Sequence, residues 1–266
     1  MSDAAGSLFD VSGRVTLVTG AASGIGLAMA EVMATGGATV VMADIDAAGL
    51  EREAQRLRAA GGRVQARVLD IARGPDVHAA VEAIVAEHGR LDVAFANAGV
   101  SAGPSFAQPE GRLDAVSPEH WARMLEINLT GAFETLRAAA KPMRQQRDGR
   151  IVVTASISGM KASPVSGYAY VAAKAALINL VRQAAAELGP DGVLVNAIAP
   201  GFIVTNLASG RLRNDPAAAA ALAESVPLRR VGTPGELKGL ALFLASPASS
   251  YVTGAIIPVD GGVTAT

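Results

Sequence analysis

The chain has 266 residues, half of them apolar, enough to bury a substantial core as one α/β domain or two small ones. Its formal net charge of −1, with no block of like charges, argues against a nucleic-acid surface or a polybasic membrane anchor. Cysteine is absent, so disulfides and thiolate zinc sites are excluded; residues 1–13 lack a signal-peptide core, and no stretch of about 18 apolar residues occurs, so a soluble cytoplasmic protein is expected.

Residues 14–19 (RVTLVT) are a short β-rich run. A glycine turn follows, Gly20-Ala21-Ala22-Ser23-Gly24-Ile25-Gly26, and residues 25–35 read as a helix stopped by Gly36-Gly37. Strand, glycine turn and helix in succession are the context a dinucleotide site requires. Gly20 allows the tight turn, Gly24 lets backbone approach a pyrophosphate, and Gly26 lets helix pack on strand. The helix start supplies N–H groups to the phosphates. Residues 39–44 form a second strand ending in Asp44, whose carboxylate can accept from adenosine ribose hydroxyls and would repel a 2′-phosphate. The glycine turn carries no Arg or Lys, and Ile45 follows Asp44; both favour NAD over NADP.

Residues 47–60 are a charged amphipathic helix stopped by Gly61-Gly62, and 63–69 a third strand closed by Asp70-Ile71. Residues 75–88 form a helix with Pro near its start and Gly89 past its end. The fourth strand, 91–96, leads into Asn97-Ala98-Gly99. Ser117-Pro118-Glu119 starts a long helix that runs toward Lys141-Pro142 and carries the polar Asn128 among apolar neighbours. A strand from Ile151 breaks at Ser156, passes through a Gly/Ser/Pro loop and enters a helix bearing Tyr170 and Lys174. Residues 193–199 are a sixth strand ending in Pro200-Gly201. Thr233-Pro234-Gly235-Glu236 is a capping box, and 255–259 a last strand before Asp260-Gly261-Gly262. Apolar strands alternating with helices predict a parallel sheet covered on both faces. With no repeat or linker, residues 1–266 read as one domain, the cofactor half at about 14–150 and the catalytic and substrate half at about 151–266.

Tyr170 and Lys174 stand at i and i+4, which places both side chains on one helix face. An ammonium beside a phenol favours the phenolate; a shift of about three units, roughly 4 kcal/mol, would make Tyr170 a base near neutrality.

Over essentially its full length the chain resembles the short-chain dehydrogenase/reductase family. Thr19-Gly20-Ala21-Ala22-Ser23-Gly24-Ile25-Gly26 matches the TGxxxGIG cofactor loop, and Asn97-Ala98-Gly99 the NAG element, with Ala96 where Asn is common. Asn128, Ser156 and the Tyr170/Lys174 pair (YxxxK) match the catalytic tetrad. Pro200-Gly201 with Thr205 matches PGxxxT, and residues 227–232, 251–254 and 260–262 resemble the C-terminal pattern. The resemblance implies a doubly wound Rossmann domain with a parallel seven-stranded sheet and hydride transfer between a secondary alcohol and a nicotinamide. It makes Tyr170 the acid/base, Ser156 a hydrogen bond to the substrate oxygen, Lys174 a holder of the nicotinamide ribose, and Asn128 the anchor of a water reaching Lys174. Asp70 and Ile71 resemble the adenine-contacting pair, and Ile203 and Thr205 would contact the carboxamide. Thr19 and Asn97 would fix neighbouring loops. A homotetramer is implied, with helices 117–141 and 166–188 at one interface.

In one respect the chain departs from the family. Ser156 stands 14 residues before Tyr170, one more than usual, which puts the extra residue in loop 159–167 and leaves Ser156 less securely chosen over Ser158 than Tyr170 over Tyr168. Pocket walls are expected from residues 101–106, 158–168 and 202–213, with Phe106, Ser158, Met160, Tyr168, Phe202 and Leu207 facing a medium-sized alcohol or ketone. Lys161, Arg211 or Arg213 could pair with an anionic substrate group. His78, His88 and His120 have no metal-ligand spacing and are expected on helix surfaces. Two alternatives stay open: an NADPH-dependent 3-oxoacyl-thioester reductase and a nucleotide-sensing protein without turnover.

Overall fold

Seven strands, every neighbouring pair parallel, form one sheet in the order β3-β2-β1-β4-β5-β6-β7. The computed structural model describes residues 3–100, 103–205 and 214–266. The strands are β1 (Val15–Thr19), β2 (Thr39–Asp44), β3 (Arg63–Val68), β4 (Val93–Ala96), β5 (Gly149–Thr154), β6 (Val193–Pro200) and β7 (Ile256–Val259). β1, β4 and β5 are buried at every residue, as expected of strands covered on both faces. The order reverses between β1 and β4, and there the carboxyl ends diverge into a crevice.

The helices are α1 (Asp3–Leu8), α2 (Gly24–Thr35), α3 (Ala47–Ala59), α4 (Gly74–His88), α5 (Pro118–Leu125), α6 (Ala132–Gln146), α7 (Tyr168–Leu188), α8 (Pro216–Glu224) and α9 (Lys238–Ala245). Two apolar layers sandwich the sheet. Met29, Met33, Leu50, Ala241 and Leu244 pack from α2, α3 and α9 on one face. Val77, Ile84, Leu136, Leu177 and Val181 pack from α4, α6 and α7 on the other. The Thr233/Glu236 capping box forms ahead of α9, and Ser117 caps α5 by accepting from the His120 N–H at 3.1 Å. No helix among the described residues is long and apolar enough to cross a membrane.

The helix expected from Ser117 toward Pro142 forms, but it is not regular α-helix throughout. Between α5 and α6 a π turn, Glu126–Gly131, intervenes, and α6 continues past Pro142 to Gln146 before Arg147 turns left-handed at φ 58°. The Asn128 amide accounts for the π turn: its Nδ2 donates to the Met124 carbonyl at 3.2 Å, taking over an acceptor of the helix ladder.

At the amino ends of the strands lies a charge network. Asp92, fully buried just ahead of β4, accepts from the Val15 N–H at 2.7 Å and pairs with Arg14 and Arg90. Arg14 also pairs with Asp148, which pairs with Arg150 at 2.9 Å. These bonds tie β1, β4 and β5 together at the end opposite the crevice.

Candidate active site

The carboxyl ends of β1, β4, β5 and β6 open onto one cleft of about 440 Å³. Gly20 and Gly24 bound its floor in the left-handed region, at φ 69° and 57°. A Cβ on Gly20 would lie 2.8 Å from the Ala98 Cα, and one on Gly24 would fill the space toward Thr205, 3.3 Å from its Cγ2. Gly26 does not line the cleft; a Cβ there would fall 2.1 Å from the Gly20 carbonyl oxygen, so its service is to seat α2 against the turn. Ser23 makes no side-chain cap on α2, and Gly24 and Ile25 bring the first helical turn to the cleft. First-turn N–H groups of a helix have no intrahelical acceptor and suit a phosphate. This cradle fits the pyrophosphate of a dinucleotide.

Asp44 sits at one end of the cleft. Its Oδ2 accepts from the Ala22 N–H and its Oδ1 from the Asp46 N–H, both at 3.0 Å, so the carboxylate is locked to the glycine turn while it faces the cleft. Ile45 beside it is exposed. Asp70 and Ile71 line the same end; Asn97, Ala98, Gly99, Pro200, Gly201, Ile203 and Thr205 line the middle and far wall.

Ser156, Tyr170 and Lys174 converge at the other end, all buried. Ser156 follows β5 and begins a short 3-10 turn, Ile157–Gly159; Tyr170 and Lys174 lie on the first turns of α7. The Tyr170 hydroxyl is pushed up by burial and pulled back partly by its hydrogen bond with Ser156. The Lys174 ammonium lies 5.6 Å from the centre of the Tyr170 ring and donates to the Thr154 carbonyl at 2.7 Å. Burial pushes it down to about 8. The largest influence on the Tyr170 hydroxyl is burial, which acts against the lowering expected from Lys174.

The remaining choices are resolved by position. Tyr168 opens α7 away from the cleft, and Ser158 turns toward Ser166, 3.0 Å away, while donating its N–H to the Ser156 Oγ. Asn128 lines the cleft, and its Oδ1 accepts from the Val100 N–H at 3.0 Å. Thr154 carries no sequence signal beyond ending a strand, yet it joins the two halves: its hydroxyl donates to Asn97 Oδ1 at 3.0 Å, and Asn97 Nδ2 donates to the Thr19 carbonyl at 3.0 Å. Arg123, Val100 and Ile127 also line the cleft without having been singled out from the sequence.

The expected substrate walls are only partly assembled. Phe106, Met160 and Tyr168 are exposed outside the cleft, and Phe202 lines a separate cavity of about 350 Å³ with Val226 and Asp260. Leu207, Arg211 and Arg213 lie outside the described residues. Lys161 does not face a substrate space: its ammonium donates to the Val263 carbonyl at 2.9 Å. His78 and His88 sit on α4 and His120 on α5, where His78 is held by Glu134 at 3.0 Å.

Residues 20–264 match the family model described as Enoyl-(Acyl carrier protein) reductase. The chain is 42% identical to cyclohexanol dehydrogenase of Rhodococcus sp. (strain TK6) over 267 aligned residues, 95% of this chain and 96% of the relative. The chain belongs to the short-chain dehydrogenase/reductase family. Cis-4-hydroxycyclohexanecarboxylate dehydrogenase of Sinomonas cyclohexanicum is 41% identical, over 95% of this chain and 97% of its own. Among solved structures, a short-chain type dehydrogenase/reductase from Mycobacterium marinum superposes with a TM-score of 0.89 at 35% identity, covering 97% of this chain and 98% of that one. This short-chain dehydrogenase/reductase is an oxidoreductase acting on CH–OH groups with a nicotinamide cofactor.

Proposed function

We propose that the protein interconverts a secondary alcohol and a ketone with NAD(H), on an alicyclic ring, with Tyr170 as acid/base. The observation that carries this reading is the convergence of the Ser156 hydroxyl, Tyr170 hydroxyl and Lys174 ammonium in one buried corner of the cleft. The nicotinamide ring supplies the hydride acceptor in oxidation and the donor in reduction. In ketone reduction a neutral Tyr170 gives its proton to the carbonyl oxygen, and the Ser156 hydroxyl steadies that oxygen as charge develops. In alcohol oxidation Tyr170 must first lose its proton, so that direction gains as pH rises. Lys174, whose ammonium donates to the Thr154 carbonyl, would hold the nicotinamide ribose. Asn128, with both amide ends hydrogen-bonded to backbone, fixes the loop after Gly99 against the π turn.

The NAD preference rests on Asp44. Its carboxylate, immobilised by two backbone N–H groups, offers lone pairs to ribose hydroxyls and repels a 2′-phosphate; Ile45 adds no countercharge. The ring preference rests on the two relatives named above, whose names specify hydroxylated cyclohexanes. Steady-state rates on cyclohexanol, linear secondary alcohols and the matching ketones, with NAD(H) and NADP(H), test both parts. NAD(H) is expected to give at least a tenfold higher kcat/KM, and Asp44→Ala to narrow that ratio. A preference for NADP(H), or turnover confined to 3-oxoacyl thioesters, would reject the reading.

A further inference from the structure

The structure assigns residues 260–266 the work of a strut behind the turn that carries Ser156, with Lys161 as the pin that holds it. Lys161 lies in loop 159–167, where the extra residue between Ser156 and Tyr170 must be accommodated. Its ammonium donates to the carbonyls of Val263, at 2.9 Å, and Thr266, at 3.4 Å, more than a hundred residues away in sequence. These two backbone oxygens are its hydrogen-bond partners among the described residues.

The strut is itself a built turn. Asp260 Oδ1 accepts from the Gly262 N–H at 2.8 Å, and its Oδ2 accepts from the Thr264 N–H and hydroxyl at 2.8 and 2.7 Å. Gly261 and Gly262 are left-handed, and a Cβ on Gly261 would lie 2.6 Å from the Val226 Cγ1, so the turn sits hard against that residue. Its end carries Val263, buried in one small apolar cluster with Ile157 and Val226, against which Phe202 packs. Ile157 is the neighbour of Ser156 and begins the 3-10 turn that positions it. Val263 thus shares one buried cluster with the turn that follows Ser156 and with Val226. Lys161 closes the link from the loop. A side chain four bonds long with a compact, many-donor head suits the bridging of two carbonyls.

Lys161 is therefore a positioning residue: it acts on substrate through the strut and the 157–159 turn. The substrate part of this inference rests on the alcohol–ketone reading; the strut itself does not. The experiment compares Lys161→Met, Lys161→Arg and Val263→Ala with the unaltered chain, using cyclopentanol, cyclohexanol and 4-methylcyclohexanol at saturating NAD⁺. Lys161→Met is expected to raise KM for the larger rings three- to tenfold and to reorder the preference among rings. The KM for NAD⁺ and the melting temperature should hold, Lys161→Arg should restore most of the loss, and Lys161→Met with Val263→Ala should be little worse than either alone. Hydrogen–deuterium exchange of the same variants reads the strut without turnover. Lys161→Met should speed exchange of amides in 157–161 and 263–266 and leave β1–β6 protected. Unchanged exchange in those two segments overturns the strut whatever the kinetics. Faster exchange with unchanged ring preference overturns the specificity role. Absence of alcohol turnover by the unaltered chain rejects the function reading and leaves the exchange result to decide the strut.

Discussion

The two ends of the sheet treat buried charge in opposite ways. At the amino ends, Asp92 is fully buried and surrounded by Arg14, Arg90 and a backbone N–H, with Asp148 and Arg150 completing the network. At the carboxyl ends, Lys174 is buried with the Thr154 carbonyl as its acceptor among the described residues, and Tyr170 is buried beside the Ser156 hydroxyl. The first arrangement satisfies its charges and stitches three strands together. The second leaves an ammonium that burial pushes down to about 8 and a phenol that burial pushes up. Buried titratable groups with few partners in a cleft are the pattern of groups that move protons, the role proposed for Tyr170 and Lys174, whereas the Asp92 network holds the sheet together.

Three measurements probe that separation. The largest effect is expected from Tyr170→Phe, which removes the proton donor and should lower kcat/KM by about a thousandfold without shifting the urea midpoint. It should also abolish the rise of the oxidation rate with pH. Asp92→Ala acts at the other end. Removing the shared partner of Arg14 and Arg90 and an acceptor of Val15 should cost about 3 kcal/mol in urea unfolding, with kcat preserved while the chain is folded. A loss of kcat before unfolding would show the ends to be coupled. The smallest effect concerns Lys174. Its folded value, about 8, lies below the ordinary 10.5, so between those values the unfolded chain holds a proton that the folded chain has released. Stability must therefore rise with pH across that window, at up to about 1.4 kcal/mol per pH unit. Urea titrations at pH 7.5, 8.5 and 9.5 should show this gain in the unaltered chain and not in Lys174→Met.

How far the sequence led depended on whether the controlling interaction was local. β2 lies at 39–44 as read, because β-branched residues, a preceding glycine pair and a terminal acid are signals within a few residues. Tyr170 was separable from Tyr168 because Lys174 is four residues away. The Asp92 network could not be read, since its members come from positions 14, 90, 92, 148 and 150 and meet only when β1, β4 and β5 align. Thr154 was missed for the same reason, its partner Asn97 lying 57 positions away. Lys161 read only as one of three cations that could pair with an anionic substrate group, because its acceptors are backbone oxygens more than a hundred residues away. The burial that acts on Tyr170 was not legible either, because it comes from packing around α7 and not from a neighbour in sequence.

The π turn between α5 and α6 makes the helix a place where one residue has been stored. An i→i+5 turn holds an extra residue without lengthening the rod, and it swings everything downstream by about 100° around the axis. Twelve residues at about 100° each would leave Phe133 about 120° from Trp121, and the swing brings it to within about 20°, so the face of α6 with Phe133 under the Arg137 guanidinium continues the face that presents Trp121 on α5. Asn128 holds the swing open by standing in for the displaced backbone donor at Met124 and reaching with its other atom to Val100. One amide thus sets the azimuth of a neighbouring helix and the height of the cleft wall together, so the two cannot be adjusted independently by any substitution at that position.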